Sequence, residues 1–111
     1  MPAASPAKMA RFHFCERDRY RGKPLHEAIV ETCREFEIAG ATVYRGIEGY
    51  GEAAEIHRGG MMAHEAPIVV TVVDTAENVA RLLPAVEAMI GNGMIAVSEV
   101  EMVRIRKAPR E

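Results

Sequence analysis

The chain has no tryptophan, only two cysteines and 5% aromatic residues, so its core has to be built mainly from aliphatic side chains. Cys15 and Cys33 stand far apart, with no Cys-x-x-Cys pair and no disulfide-dense framework, which excludes a disulfide scaffold and leaves two reduced thiols. An apolar run of the roughly 20 residues that would span a bilayer is missing. The start, Met1 to Lys8, is rich in Pro and Ala and lacks the apolar stretch of a secretory signal. A cytoplasmic protein with a loose N-terminal tail over 1–8 is therefore expected. A basic excess is absent too: 14 Lys and Arg against 16 Asp and Glu give a net charge of -2, which supplies no general attraction to nucleic acid or to anionic membrane. Any anion site must be local. The sequence also has no Gly-x-Ser-x-Gly, no Walker motif and no nucleophile flanked by an identifiable base, so it makes no case for catalysis.

What is present suffices for one domain: 111 residues, 49% of them hydrophobic. From Met9 to Cys15, Ala10, Phe12 and Phe14 alternate with Arg11 and His13, the period of a strand. Pro24, suited to a first helical turn, precedes Leu25, Ile29, Cys33 and Phe36 at helical spacing, and Gly40 offers a left-handed stop. Ala41 to Ile47 suits a second strand, and residues 50–66 follow neither period and read as a long loop. Ile68 to Val73 is a nearly continuous β-branched run, the mark of a central strand covered on both faces. Asp74 with Glu77 has capping-box spacing, and Val79, Leu82, Leu83, Val86 and Ile90 trace a helix face interrupted by Pro84, which should bend or weaken its turn. Gly91-Asn92-Gly93 stops that helix, and Val100 to Arg106 reads as a last strand. The order is βαββαβ, an α+β ferredoxin-like domain over 9–107 with a short tail over 108–111, its antiparallel four-stranded sheet carrying both helices on one face. The third strand, apolar on both sides, then needs cover that only other subunits can supply.

Three features would hold a ligand. Gly46-Ile47-Glu48-Gly49-Tyr50-Gly51 would let backbone N–H groups approach an anion, although glycine at a strand exit is also ordinary turn chemistry. Gly91-Asn92-Gly93 offers the same chemistry, with a plain helix stop as its simpler reading. Arg104 and Arg106, two residues apart on a strand, would place two guanidinium forks on one face, where they suit phosphate oxygens or serve solubility. In the long loop, His57, Arg58 and His64 add basic groups, and the two imidazoles with a carboxylate or thioether would bind a metal, without a recognisable zinc spacing.

These features occur in the order found in one family: the chain resembles the PII signal-transduction proteins, and more closely their PII-like relatives of unassigned function. Ala39-Gly40-Ala41-Thr42-Val43 is similar to the PII segment entering the second strand, and Gly49-Tyr50-Gly51 to the Gly-aromatic-Gly that opens the mobile T-loop. Ile90-Gly91-Asn92-Gly93 resembles the B-loop, and Val103-Arg104-Ile105-Arg106 the end of the last strand. The resemblance implies a homotrimer with its sheets packed inward and an adenine nucleotide (ATP, ADP or AMP) or other small anion in clefts between subunits. By that analogy Thr42 would lie near the base or ribose. Gly49, Tyr50 and Gly51 with Gly91, Asn92 and Gly93 would surround the phosphates, and Arg104 and Arg106 would reach in from the neighbouring subunit. A bound ligand would order the loop, with His57, Arg58 and His64 facing a partner, a membrane transporter or an enzyme. Met94 stands where PII proteins carry a phosphate-binding lysine, so one positive charge is missing. Tyr50 stands at the base of the loop, which does not fit tyrosyl modification at its tip. Two other readings compete: a CutA-like metal-binding trimer using the loop histidines, and a dimeric ferredoxin-like enzyme.

Overall fold

The computed structural model describes residues 3–50, 56–58 and 66–107. Eight strands and two helices follow one another along them: β1 (Ser5–Cys15), β2 (Arg19–Tyr20), β3 (Lys23–Pro24), α1 (Leu25–Glu35), β4 (Ala41–Arg45), β5 (Glu48–Tyr50), β6 (Ile56–Arg58), β7 (Pro67–Asp74), α2 (Ala76–Glu87) and β8 (Met94–Met102). The main sheet has the order β4-β7-β1-β8, antiparallel throughout, with Phe12 opposite both Val70 and Ile95. Both helices pack against this sheet, giving the expected α+β ferredoxin-like arrangement.

The core forms because strand and helix periods agree on one surface. Ala10, Phe12 and Phe14 from β1 and Ile68, Val70 and Val72 from β7 meet Leu25, Ile29 and Cys33 of α1 and Val79, Leu82 and Val86 of α2. Burial pushes the Cys33 thiol up to about 11, so it remains a protonated, inert core group, and neither cysteine is in a disulfide. Pro84 removes the N–H that would bond the Ala80 carbonyl, and α2 ends three residues later at Glu87. Arg81 joins the helices, donating to the Phe36 carbonyl at 3.2 Å with its guanidinium 5.6 Å from the Phe36 ring centre.

Several boundaries differ from the sequence reading, each for a local reason. β1 begins at Ser5, because residues 5–8 pair with 99–102 instead of trailing as a tail. Between β2 and β3, Arg21 (φ 50°) and Gly22 (φ 84°) form a two-residue turn with both central φ positive, the hairpin geometry that a polar stretch concealed. The left-handed residue after α1 is Glu37 (φ 57°), not Gly40, and Ile38 N–H closes the helix end on the Cys33 carbonyl at 3.0 Å. The N-cap of α2 is Thr75, whose hydroxyl accepts from Asn78 N–H at 3.1 Å, so Asp74 and Glu77 do not form the capping box. β6 lies inside the segment read as loop and pairs with β5, which ends where that segment begins. β8 runs Met94–Met102 rather than from Val100 to Arg106: β1 offers partners only from His13 back to Ser5, so beyond Met102 the chain has nothing to pair with.

Among the described residues, the third long strand, β7, is covered by helices on one face only. Ile68, Val70, Val72 and Asp74 are buried under the helices, whereas Pro67, Val69, Thr71 and Val73 are half-buried on the opposite, uncovered face.

Candidate functional site

The residues expected to hold a ligand occupy three corners of the sheet. Thr42 lies on β4 opposite Thr71, and the strand leads through Gly46 to Gly49 and Tyr50 on β5. Gly91, Asn92 and Gly93 lie at the same end of the sheet but beside β8, the other edge strand. Three inter-strand steps separate those edges, about 14 Å. Arg104 and Arg106 follow β8 at its far end, roughly 30 Å along the strand from Gly93 at about 3.3 Å per residue. Both arginines are exposed and neither lies on the strand that the sequence suggested. One copy of the chain therefore does not bring these groups together. Gly51 and His64 lie outside the described residues, as do the side chains of Tyr50, His57 and Arg58. Among the described residues no cluster of His, Cys, Asp and Glu would hold a metal ion.

The glycines divide into two kinds. A Cβ on Gly93 would run into the His13 carbonyl oxygen, and one on Gly46 would stand 2.6 Å from the Pro67 ring, while Gly46 N–H donates to the Pro67 carbonyl at 2.7 Å. Those two positions need glycine so that backbone can pass close to β1 and β7. Gly91 has open space around its Cβ direction, with an exposed backbone free to approach a ligand. Gly91, Gly93 and Met94 line a small surface depression with Glu87, Ile90 and Ile95.

Asp74 organises the opposite end of the sheet. It is 3% exposed, and its carboxylate accepts from Ala39 N–H at 2.8 Å, Thr75 N–H at 2.7 Å and Asn78 Nδ2 at 3.0 Å. Burial works to raise its pKa, but these hydrogen bonds, aided by the positive charge of Arg104, hold it below the usual carboxylate range. One side chain thus ties the end of β7, the start of α2 and the segment leading into Thr42. Sequence reasoning gave Asp74 a cap's role; the signal for more was an acidic residue ending an apolar strand.

The uncovered face holds a larger open depression, about 340 Å³, lined by Met9, Arg11, His13, Tyr44, Val69 and Thr71. Strand alternation puts Arg11 and His13 side by side there, between Thr71 and Val69 on β7 and Ala96 and Met94 on β8. The sequence marked this alternation without assigning it a role. Partial burial, then the charge of Arg11, hold the His13 pKa below its ordinary value, so the imidazole is neutral at pH 7.

The model of the DUF190 family, described as "Uncharacterized ACR, COG1993", matches residues 7–102. A UPF0166 protein of Aquifex aeolicus (strain VF5) is 33% identical over 98 residues, which cover 86% of this chain and 92% of that protein. In fold the chain is similar to CPII, a nitrogen regulatory PII-like protein from Thiomonas intermedia K12 solved with ADP, AMP and bicarbonate. That likeness has a TM-score of 0.71 at 19% identity and covers 94% of both chains. The divalent ion tolerance protein CutA1 from Ehrlichia chaffeensis is a more distant likeness, with a TM-score of 0.56 at 14% identity over 90% of this chain and 84% of that one.

Proposed function

The chain belongs to the DUF190 family, and from that premise we propose that it is a trimeric sensor of a small ligand, an adenine nucleotide or another small anion, and not a catalyst. The observation that carries this reading is the PII-like fold, shared over 94% of both chains with a protein solved with ADP, AMP and bicarbonate. The dispersal of the described ligand residues supports it. Thr42, Gly49 and Tyr50, the open backbone at Gly91 and Asn92, and the arginines at 104 and 106 would converge only between copies. In such a cleft backbone N–H groups would take the phosphate oxygens and the guanidinium groups the remaining charge. With Met94 in place of a lysine, a diphosphate or monophosphate suits the site better than a triphosphate. Ligand binding would then change the surface that the segment 50–66 offers to a transporter or enzyme partner.

A thermal-shift panel of ATP, ADP, AMP, bicarbonate, copper and zinc tests this. A ligand at 100 times its Kd stabilises by about 2.7 kcal/mol, several degrees for a domain of this size. The expected result is a shift with an adenine nucleotide that is lost in Arg106→Ala; Arg104→Ala also removes a charge beside Asp74 and is read against that control. No nucleotide or bicarbonate shift overturns the reading. A copper or zinc shift that disappears in the His57→Ala, His64→Ala double variant would put the metal-binding alternative in its place.

A further inference from the structure

The uncovered face of the sheet has an unusual charge inventory. Its positions on β1, β4, β7 and β8 carry Met9, Tyr44, Val69, Val73, Met94 and Val100 among the apolar residues and Arg11 and His13 among the basic ones. No Asp or Glu of these strands falls on it: Asp74, Glu99 and Glu101 all occupy the alternate positions. Methionine, tyrosine and arginine in place of lysine and carboxylates is the composition of an interface core rather than of a solvated face.

Burial of this face between copies meets one obstacle. Packing copies around a common axis through equivalent surfaces would bring Arg11 of each toward the others, and among the described residues the strands of this face supply no carboxylate. Like charges would then be desolvated side by side, an arrangement that persists only when an opposite charge is supplied. The depression beside Arg11 has the means to hold one: the guanidinium fork, the His13 imidazole, and the Thr71 and Tyr44 side chains line the same space. Facing His13 from the neighbouring strands are Val69 and Thr71 of β7, Met94 and Ala96 of β8 and Tyr44 of β4, none of them acidic.

We propose that Arg11 and His13 form a binding site for a small oxyanion on the open sheet face, and that this anion supplies the charge balance needed to bury that face between copies of the chain. The second half rests on the trimeric reading given above; the first does not. The site borders the intersubunit cleft proposed for the nucleotide, because Thr42 stands opposite Thr71 and Met94 opposite His13 on the same face, but Arg11 and His13 themselves are not among the nucleotide residues. Arg11 would hold the anion through two parallel N–H donors, and the anion's charge would favour the protonated imidazole at His13.

The test is an NMR titration of the histidine Hε1 resonances, that of His13 assigned with His13→Gln. It is run against inorganic phosphate and bicarbonate at constant ionic strength kept with sodium chloride. Either anion is expected to raise the His13 pKa by about one unit, and Arg11→Met to abolish the response while Arg11→Lys keeps part of it. Arg11 is exposed in the single chain, so these variants should fold. Sedimentation velocity on the same samples reports the number of copies. Anion-dependent association that becomes anion-independent in Arg11→Met supports both halves. A trimer whose His13 ignores both anions overturns the anion site and leaves the trimer standing. A monomer whose His13 responds keeps the site and overturns the trimer.

Discussion

The face of the sheet that meets the helices carries Ala10, Phe12, Phe14, Ile68, Val70 and Val72, all nearly or wholly buried. The opposite face is one residue out of step along the same strands and carries Met9, Arg11, His13, Val69 and Thr71, half-buried or exposed. A strand that faced helices on one side and water on the other would alternate apolar with polar. This sheet instead alternates apolar with a mixture, including Val69, Val73 and Met9, and the mixture has no acid in it. The comparison separates what the chain settles by itself from what it leaves for a neighbour. The helix-covered face accounts for folding; the other accounts for association and for the anion that would accompany it.

The sharpest way to break the contrast is to cut one residue from each face. Phe12→Ala removes a fully buried ring from between the sheet and both helices and is expected to cost about 3–5 kcal/mol. Val69→Ala on the open face should cost under about 1 kcal/mol in the single chain, because its methyl groups are only half-buried there. Urea unfolding at low protein concentration measures both, and equal losses would mean that the open face is already packed within one chain. Asp74→Ala comes next, at about 3 kcal/mol, since three donors lose their acceptor at a buried position. Because the folded pKa of Asp74 is held below its unfolded value of about 3.9, its contribution is complete above that pH and is lost as pH falls through the folded pKa. Wild type and variant should therefore converge at low pH; a gap as wide at pH 3 as at pH 7 would mean that the carboxylate charge is not what matters.

The glycines at 91 and 93 sharpen the distinction between structure and binding. Gly93→Ala is expected to cost about 2 kcal/mol, because its methyl would be driven into the His13 carbonyl. Gly91→Ala should stay within about 0.5 kcal/mol, having open space on that side. Thermal unfolding separates them, and a ligand shift reduced in Gly91→Ala without a change in the unliganded midpoint would assign that backbone to binding.

Element order, the core faces of both helices and the central position of Ile68 to Val73 were legible because each follows a period that local residues enforce. The last strand was misplaced because its limits depend on β1 rather than on its own composition: Ser98, Glu99 and Glu101 are poor strand formers that pair because Ser5 to Met9 lie opposite. Likewise no local pattern announces that Glu37 rather than Gly40 takes the left-handed position, since that depends on where the Cys33 carbonyl can be reached. Of the site, the sequence supplied residue types but not their distances. That Gly91 is open while Gly93 is wedged against β1 depends on a backbone approach between positions 80 residues apart. Arg11 and His13 passed as ordinary alternation because a charge inventory of one face requires the register of all four strands.

The pH dependence contributed by His13 is also a small expected effect. Burial and then Arg11 lower its folded pKa below the ordinary 6.5, so the unfolded chain binds this proton more readily than the native one does. Stability is thus expected to rise with pH between the folded pKa and about 6.5, and to gain nothing further from this group above that. His13→Gln should flatten that segment of the profile, while Arg11→Met, removing the lesser cause, should reduce its slope only in part. The amplitude is under about 1 kcal/mol for a group still partly in contact with solvent, within reach of urea midpoints measured at half-unit intervals from pH 5 to 8. Inorganic phosphate adds the decisive condition. An oxyanion held at Arg11 would favour the imidazolium and shrink or reverse the slope, whereas a profile that phosphate leaves unchanged would show that desolvation alone governs His13 and that the open face has no anion to offer its neighbour.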